Sequence, residues 1–161
     1  MAVKGYTELI STVNKLLNSE KVMVTTLSSV LAGQKNRIFQ KGKDADGSQI
    51  GTYSTKPISI SRKNQSRNTG KTYFKGGYRE YKSLAGKGSG FVNLRNTDQM
   101  NFDYGLKVLG RNEYGFGFDN SFNFDKSEWN EEKYKKEIFG HSQEDDATFE
   151  KVFQYELDKI Q

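Results

Sequence analysis

Apolar residues recur at intervals of three and four along the first forty positions, which is the spacing of an α-helix. The first set predicts a helix over residues 6–18 and consists of Tyr6, Leu9, Ile10, Val13, Leu16 and Leu17. The second set predicts a longer helix over residues 20–40 and consists of Met23, Leu27, Val30, Leu31 and Ile38. Gly42 is the expected end, because glycine tolerates the left-handed conformation at a helix terminus. The pattern therefore predicts an N-terminal pair of helices.

An alternating pattern follows in the second half of the chain and indicates half-buried strands. Its apolar members are Val92 and Leu94, then Phe102, Tyr104, Leu106 and Val108, then Tyr114, Phe116 and Phe118. Residues 110–113 read as the turn between the last two sets, which predicts an antiparallel hairpin. Gly115 and Gly117 occupy alternate positions, so one face of that hairpin is nearly bare of side chains.

Two helices are predicted near the C-terminus. The first covers residues 127–139, with Glu131–Lys135 and Glu132–Lys136 pairs, and Gly140 closes it. Ser142 is a natural N-cap for the second, with Asp145 three positions on. Its apolar stripe is Phe149, Val152, Phe153, Leu157 and Ile160. We expect this stripe and the hairpin over residues 102–118 to form the core.

Residues 41–90 contrast with their flanks, because they are rich in turn formers and poor in apolar side chains. Local structure is predicted only at residues 58–60, as a strand, and at residues 78–84, as a helical turn. The sequence therefore predicts an α+β fold with N-terminal helices, a small antiparallel β-sheet mainly over residues 92–119 and a C-terminal helix. Residues 1–161 form one domain in this interpretation, and residues 41–90 project from it as a long extended basic arm.

Charge divides the chain into two unlike halves. Residues 1–95 hold seventeen Lys or Arg against five Asp or Glu, a net charge of +12, whereas residues 96–161 have a net charge of −7. Such a dipolar subunit suits head-to-tail packing of copies, and a basic surface also suits nucleic acid. The positions expected to contact a neighbouring subunit or DNA are Lys56, Arg62, Lys63, Arg67, Lys71, Lys75, Arg79, Lys82 and Lys87.

Aromatic residues interleave with these cations and give the nucleic-acid interpretation its own support. They are Tyr53, Tyr73, Phe74, Tyr78 and Tyr81. Rings that stack on bases, next to cations that follow phosphates, are typical of proteins that bind single strands. A basic nucleic-acid-binding module is therefore the alternative function.

Catalytic motifs are weak throughout the chain. The absence of cysteine and the presence of a single histidine, His141, exclude thiolate and multi-histidine zinc sites. Residues 70–72 imitate the end of a phosphate-binding loop, but Gln65 stands where that motif needs glycine. Residues 44–47 imitate a calcium loop, but Gln49 and Thr55 occupy two of its required positions. We expect no cofactor and no metal.

The best enzymatic interpretation is a metal-dependent nuclease that uses Asp119 or Asp125 with Glu131 and Lys133. Alternating charges on a helix more often mark a solvated face, so we expect no enzyme and no catalytic residues. No apolar run reaches the length of a signal peptide or a membrane span, so we also expect an unexported protein without a membrane segment.

The order of several short segments resembles the virion-morphogenesis family of tailed bacteriophages, which comprises tail-completion and neck proteins. The matching segments are residues 35–39 (KNRIF), Gly42 with residues 44–47 (DADG), residues 50–54 (IGTYS), residues 76–81 (GGYREY), residues 92–94 (VNL), residues 97–100 (TDQM), and residues 138–140 (IFG) with Ser142 and Glu144. Thr97 and Asp98 stand where the family usually has Thr-Gly. The resemblance covers residues 35–161.

This resemblance implies a non-enzymatic structural protein of the head-to-tail junction, as a neck, tail-completion or tail-terminator subunit. Such a subunit assembles as a ring of identical copies in the bacterial host cytoplasm and ends in the virion. Its expected partners are copies of itself and neighbouring connector, portal or tail proteins, with non-specific contact to genomic DNA as a further possibility. No membrane partner is implied.

Overall fold

The computed structural model describes residues 4–61, 70–110 and 113–159, with side chains from residue 19 onward. The elements in chain order are helix α1 (Lys4–Lys35), a π-helical turn (Asn36–Gln40), strands β1 (Ile58–Ser61) and β2 (Lys71–Phe74), helices α2 (Gly77–Leu84) and α3 (Gln99–Asp103), strands β3 (Tyr104–Gly110) and β4 (Glu113–Phe118), and helices α4 (Ser121–Tyr134) and α5 (Gln143–Asp158). None of the helices in these ranges is both long and apolar enough to cross a membrane. The predicted α+β class is confirmed.

The predicted hairpin over the second half of the chain is confirmed. Strands β3 and β4 pair antiparallel, with Tyr104 opposite Phe118 and Leu106 opposite Phe116. Gly105 lies opposite Gly117 on the other face, as the alternating glycines predicted. The hairpin thus places its aromatic side chains on one face, where Tyr104 is buried in the core.

The predicted N-terminal pair of helices is wrong, because α1 runs unbroken from Lys4 to Lys35. Residues 18–20 contain neither glycine nor proline, so nothing in the backbone requires a break there. The apolar stripe predicted between residues 6 and 17 lies outside the part of the chain whose side chains are described. Gly42 follows the π-helical turn and has the left-handed conformation expected at a helix end, with a φ of +62°. An added Cβ at this position would collide with Phe91 and the Val92 carbonyl.

The core forms where the end of α1 meets the β3–β4 hairpin and the segments before α3 and α5. Its buried members are Ile38, Phe39, Ile50, Val92, Met100, Tyr104 and Ile138. Three consecutive residues of the π-helical turn, Arg37, Ile38 and Phe39, are buried. Protein therefore surrounds this turn on several sides, and aromatic rings from Tyr104 and Phe139 pack against Phe39 at centroid distances of 6.4 and 6.3 Å.

The Arg37 guanidinium ties three segments of the chain together inside this core. Its Nη1 donates to the carbonyl of Ile138 at 3.1 Å, and its Nη2 donates to the carbonyl of Gly140 at 2.7 Å. Nη2 also approaches Asp145 Oδ2 at 3.4 Å, and both side chains are at least 94% buried. Because a buried charge is costly unless it is paired and hydrogen-bonded, these contacts fix the end of α1 against the start of α5.

Asp145 joins this cluster to the start of α5. Ser142 caps the helix by accepting from the Asp145 backbone N–H at 3.2 Å, and Asp145 Oδ2 accepts from the Ser142 N–H at 2.9 Å. The predicted N-cap is therefore confirmed as a capping box. The same Oδ2 accepts from Gln34, whose Oε1 accepts from the buried Tyr104 hydroxyl at 2.8 Å. One carboxylate thus links α1, α5 and the hairpin.

Helix α4 begins six residues earlier than the sequence pattern predicts and ends at Tyr134. Asn120 caps it by accepting from the Phe122 N–H at 2.9 Å. The predicted ion pairs are replaced by other contacts. Glu131 accepts from the backbone N–H groups of Ile138 and Phe139, and Lys136 reaches Asp44 at 2.6 Å.

Several predicted core and strand positions are wrong. Residues 92–94 form no strand, because Leu94 has a φ of +52° and Asn93 binds side chains and backbone outside a sheet. Phe102 lies on the outer side of the short α3, and Val108 lies near the tip of the hairpin, so both are exposed. The α5 stripe over Phe149–Leu157 is half-buried against α1, and Ile160 lies outside the described residues.

Residues 41–90 are mostly strand, turn and loop where the structure describes them, as expected, but the expectation that they lack core side chains is wrong. Ile50 belongs to the core, and Phe74 is buried at the end of the β1–β2 hairpin. A chain of ring contacts then runs from Phe74 through Tyr81 and Tyr78 to Tyr53, with centroids 5.4 to 5.5 Å apart. Burial and ring packing therefore attach this hairpin and α2 to the rest of the fold. The predicted strand at residues 58–60 and helical turn at residues 78–84 are confirmed.

The attachment of α2 depends on Gly77, which gives a direct prediction. Gly77 has a φ of +72°, and an added Cβ would lie 2.5 Å from the Lys56 carbonyl oxygen. Gly86 has a similar φ of +66° with open space around it. We expect Gly86→Ala to lower the free energy of unfolding by about 1–2 kcal/mol through backbone strain alone. Gly77→Ala should lower the free energy of unfolding by about 1–3 kcal/mol more than Gly86→Ala does, because the Lys56 carbonyl must also move.

Denaturant unfolding of both variants measures the difference. Equal losses for the two alanines would mean that the close approach of α2 to residues 54–56 does not exist in solution.

The Arg37 cluster gives a second prediction. Arg37→Met leaves the Asp145 carboxylate buried without its cation, so the free energy of unfolding should fall by about 3–5 kcal/mol. Adding Asp145→Asn removes that charge, so the double variant should lose less than the sum of the two single losses. Glu156→Gln, which removes the pair with the exposed Lys159, is the control and should leave the free energy of unfolding nearly unchanged, because solvent screens that pair. A loss below about 1 kcal/mol for Arg37→Met would contradict the assigned role.

Candidate functional site

The basic residues singled out in the sequence do not form one surface. Four of them, Lys56, Lys71, Lys75 and Arg79, are exposed on or beside the β1–β2 hairpin and α2. Arg62, Lys63 and Arg67 lie outside the described residues. Lys87 is partly exposed and lies 4.0 Å from Asp98. The exposed four remain available to a partner.

Lys82 is placed differently, because its side chain is 1% exposed. Its Nζ donates to Asn93 Oδ1 at 3.2 Å and to the Arg95 carbonyl, and it lies 5.0 Å from the centre of the Tyr53 ring. The expectation that Lys82 faces a neighbouring subunit or DNA is therefore corrected: the amine holds residues 93–95 against α2.

A cleft of about 600 Å³ opens between three segments of the described chain. One wall comes from the loop over residues 52–54 and from α2, the second from residues 92–100, and the third from α4. A volume of this size is in the range of small-ligand sites. The cleft lies between segments of the basic first half of the chain and helix α4 of the acidic second half.

Asn93 organises the wall formed by residues 92–100. Its Oδ1 accepts from the Tyr53 hydroxyl at 2.9 Å, from Lys82 Nζ and from the Arg95 N–H at 3.2 Å. Its Nδ2 donates to the Lys87 carbonyl at 3.0 Å. Because these bonds satisfy the amide from both ends, the wall is fixed before any ligand arrives.

The surroundings shift the pKa values of three groups that line the cleft. Burial raises the pKa of Tyr53 to about 12, so the phenol stays protonated as a donor. Burial also lowers the pKa of Lys82 to about 8, with the neighbouring Lys87 charge acting in the same direction. Asp98 has a lowered pKa because Arg95 donates a hydrogen bond to it at 2.5 Å. Among the described residues that line the cleft, Asp98 is the one carboxylate, and Arg95 neutralises its charge.

The α4 wall presents aromatic rings and cations together. Trp129 is 58% exposed, and Lys133 Nζ lies 5.0 Å from its ring centre and 5.1 Å from that of Tyr134. Lys126 lines the same wall, and its Nζ lies 4.1 Å from the exposed Phe122 ring. Neither lysine forms an ion pair with any described residue. Both charges therefore remain available to an anion.

Sequence reasoning missed this wall, although a signal for it exists. Phe122, Lys126, Trp129 and Lys133 are spaced by four, three and four residues, which places them on one face of a helix. The sequence pattern predicts that this helix starts at residue 127, whereas α4 starts at Ser121. Phe122 and Lys126 therefore lie outside the predicted helix, and their shared face with Trp129 and Lys133 was not recognised.

Two of the three carboxylates considered for a nuclease bind other groups, and the third, Asp125, is exposed on α4. Glu131 binds two backbone N–H groups, and Asp119 pairs with Lys107 at 2.5 Å. Over the described ranges, no three His, Cys, Asp or Glu side chains lie close enough together to hold a metal ion.

Lys82 provides a prediction on pH. An unfolded lysine has a pKa near 10.4, whereas burial lowers the pKa of folded Lys82 to about 8. Between these values the unfolded chain binds more protons at this site than the folded chain, so stability rises with pH. The free energy of unfolding of the wild type, minus that of Lys82→Met, should increase from about pH 7.5 to about pH 9.5. Denaturant titrations at each pH measure it, and a difference that is flat or falls would contradict the buried amine.

Comparison of the chain with protein-family models, with curated proteins and with solved structures gave no match.

Proposed function

We propose that the chain is a non-enzymatic structural subunit that assembles with copies of itself, at the head-to-tail junction of a tailed bacteriophage. Large apolar side chains exposed on separate parts of the fold are the observation that carries the assembly role. Phe102 is 80% exposed on α3, Leu84 is 74% exposed at the end of α2, and Val108 is 73% exposed on β3. Burying these side chains against neighbouring copies would remove apolar surface from water, which stabilises association.

The distribution of charge supports contact between unlike surfaces. Lys56, Lys71, Lys75 and Arg79 stay exposed near the β1–β2 hairpin. The outward face of α5 carries exposed Glu144, Asp146, Glu150 and Asp158. A basic surface on one copy can therefore meet an acidic surface on the next, and such a heterologous contact closes into a ring when the rotation between copies permits.

The length of α1 supports the same role. Its thirty-two residues span about 48 Å, whereas the sixteen residues of α5 span about 24 Å. Helix α1 therefore extends beyond the helix it packs against, which offers a further element for contact with a neighbour.

The phage assignment rests on the order of sequence segments described above. On this proposal the subunit works as a neck, tail-completion or tail-terminator protein in the virion, beside connector, portal or tail proteins. Several of those segments build the described core and its supports, including Arg37, Ile50, Ile138 and Ser142. The same order of segments can therefore preserve a frame while the exposed surfaces adapt to different neighbours.

A basic nucleic-acid-binding module is the second candidate. The exposed cations near the β1–β2 hairpin favour it, together with Tyr73, which is exposed on β2 between Lys71 and Lys75. On this proposal the hairpin contacts phosphates without reading sequence.

Self-assembly is tested by sedimentation of the purified chain over a concentration series. We expect oligomers, and we expect Phe102→Ser to weaken association at least about tenfold, because burial of a phenyl ring is worth about 2 kcal/mol. Gln99→Ser, an exposed polar change on the same helix, is the control and should leave association unchanged. A wild-type chain that stays monomeric at every concentration would contradict self-assembly.

A further inference from the structure

We propose that the cleft between α2, residues 92–100 and α4 binds a segment of single-stranded nucleic acid, with a base stacked on Trp129 and phosphates on Lys126 and Lys133. This site uses none of the exposed cations of the β1–β2 hairpin. It is also independent of the proposed assembly, because every group it needs comes from one copy of the chain.

The arrangement of α4 carries the proposal. Its four exposed or half-exposed residues, Phe122, Lys126, Trp129 and Lys133, lie within about 60° of one another around the helix axis. They alternate ring, cation, ring, cation over about 16 Å. Single-strand sites combine these two features, since rings stack on bases of any sequence while cations follow the backbone.

The two lysines are held in a state suited to an anionic ligand. Each ammonium lies over an aromatic ring and is paired with no carboxylate among the described residues, so a phosphate need not displace one of these acids. The Lys133 Nζ lies near two rings, at 5.0 Å from the centre of Trp129 and 5.1 Å from that of Tyr134. This proximity places the phosphate site next to the stacking site.

The rest of the cleft adds groups that suit a base and a sugar. Tyr78 and Tyr134 provide further aromatic surface, and the side chains of Asn96 and Asn130 provide amide donors and acceptors. Asp98 is the single lining carboxylate and is neutralised by Arg95, so the cleft keeps a net positive charge. An acidic peptide could pair with these cations, but its carboxylates would not stack on the aromatic rings. The combination of cations and rings therefore favours a nucleotide over an acidic peptide.

The charge of the neighbouring α4 face supports a single path for the strand. Asp125 and Glu132 are exposed at about 60° and 80° from Phe122 around the axis, on the side away from Asn130 and the cleft. These carboxylates repel phosphates from that side. The strand is therefore confined between the acidic edge of α4 and the wall formed by residues 92–100.

Trp129 is the only tryptophan in the chain, so its fluorescence reports on this site alone. The experiment titrates the full chain with a short oligothymidylate at several salt concentrations. We expect saturable quenching of the tryptophan emission. We expect the Lys126→Gln/Lys133→Gln double variant to bind more weakly, with the slope of log K against log salt reduced by about 1.4, since each lost phosphate contact removes about 0.7 for a single strand.

Matched variants separate this site from the hairpin. Lys71→Gln/Lys75→Gln removes the same number of exposed charges and should leave the salt slope of the quenching unchanged. Trp129→Leu, followed by anisotropy of a labelled oligonucleotide, should lose about tenfold or more in affinity, while Trp129→Phe should retain most of it. Trp129 is more than half exposed, so neither substitution puts the fold at risk, and circular dichroism checks this.

Three outcomes would overturn the proposal. The first is no quenching at low salt. The second is a greater effect of the hairpin variant than of the α4 variant, which would assign binding to the hairpin. The third is equal or tighter quenching by a glutamate-rich peptide of matched charge, which would assign the cleft to an acidic protein segment.

Discussion

The burial of Arg37 is the constraint on which the rest of the structure depends. A guanidinium removed from water must find acceptors, and it finds them in the carbonyls of Ile138 and Gly140 and in Asp145. Those partners lie more than 100 positions away along the chain, so one side chain determines where the C-terminal third packs. The capping box at Ser142 then makes the same carboxylate part of the start of α5.

This constraint explains why the exposed surfaces are held in a defined geometry. Gln34 extends the cluster to Tyr104 and hence to the β3–β4 hairpin, whose first residue follows α3 directly. Asp103, at the end of α3, accepts from the Asn120 N–H and from Asn123 Nδ2 and so positions the start of α4. The exposed rings of α3 and α4 therefore project from a frame connected to the buried cluster by hydrogen bonds.

Local signals in the sequence predicted local structure well. The spacing of Ser142 and Asp145 identified the cap of α5, and the alternating glycines identified the β3–β4 hairpin, because each depends on neighbours within a few residues. Pairings between distant polar groups could not be predicted. Arg37 and Lys82 are ordinary surface residues by composition, and only the tertiary positions of Asp145 and Asn93 make their burial tolerable. The cleft was missed for the same reason, since its walls come from three separate segments.

We propose that this frame presents unlike surfaces, basic near the β1–β2 hairpin and acidic on α5, through which copies assemble head to tail. Electron microscopy of the purified chain, at concentrations where it associates, tests this assembly most directly. Closed rings, in which each subunit contacts the next through two different surfaces, are the predicted result. Two-fold dimers joined through one self-complementary surface, or separate monomers at every concentration, would contradict it.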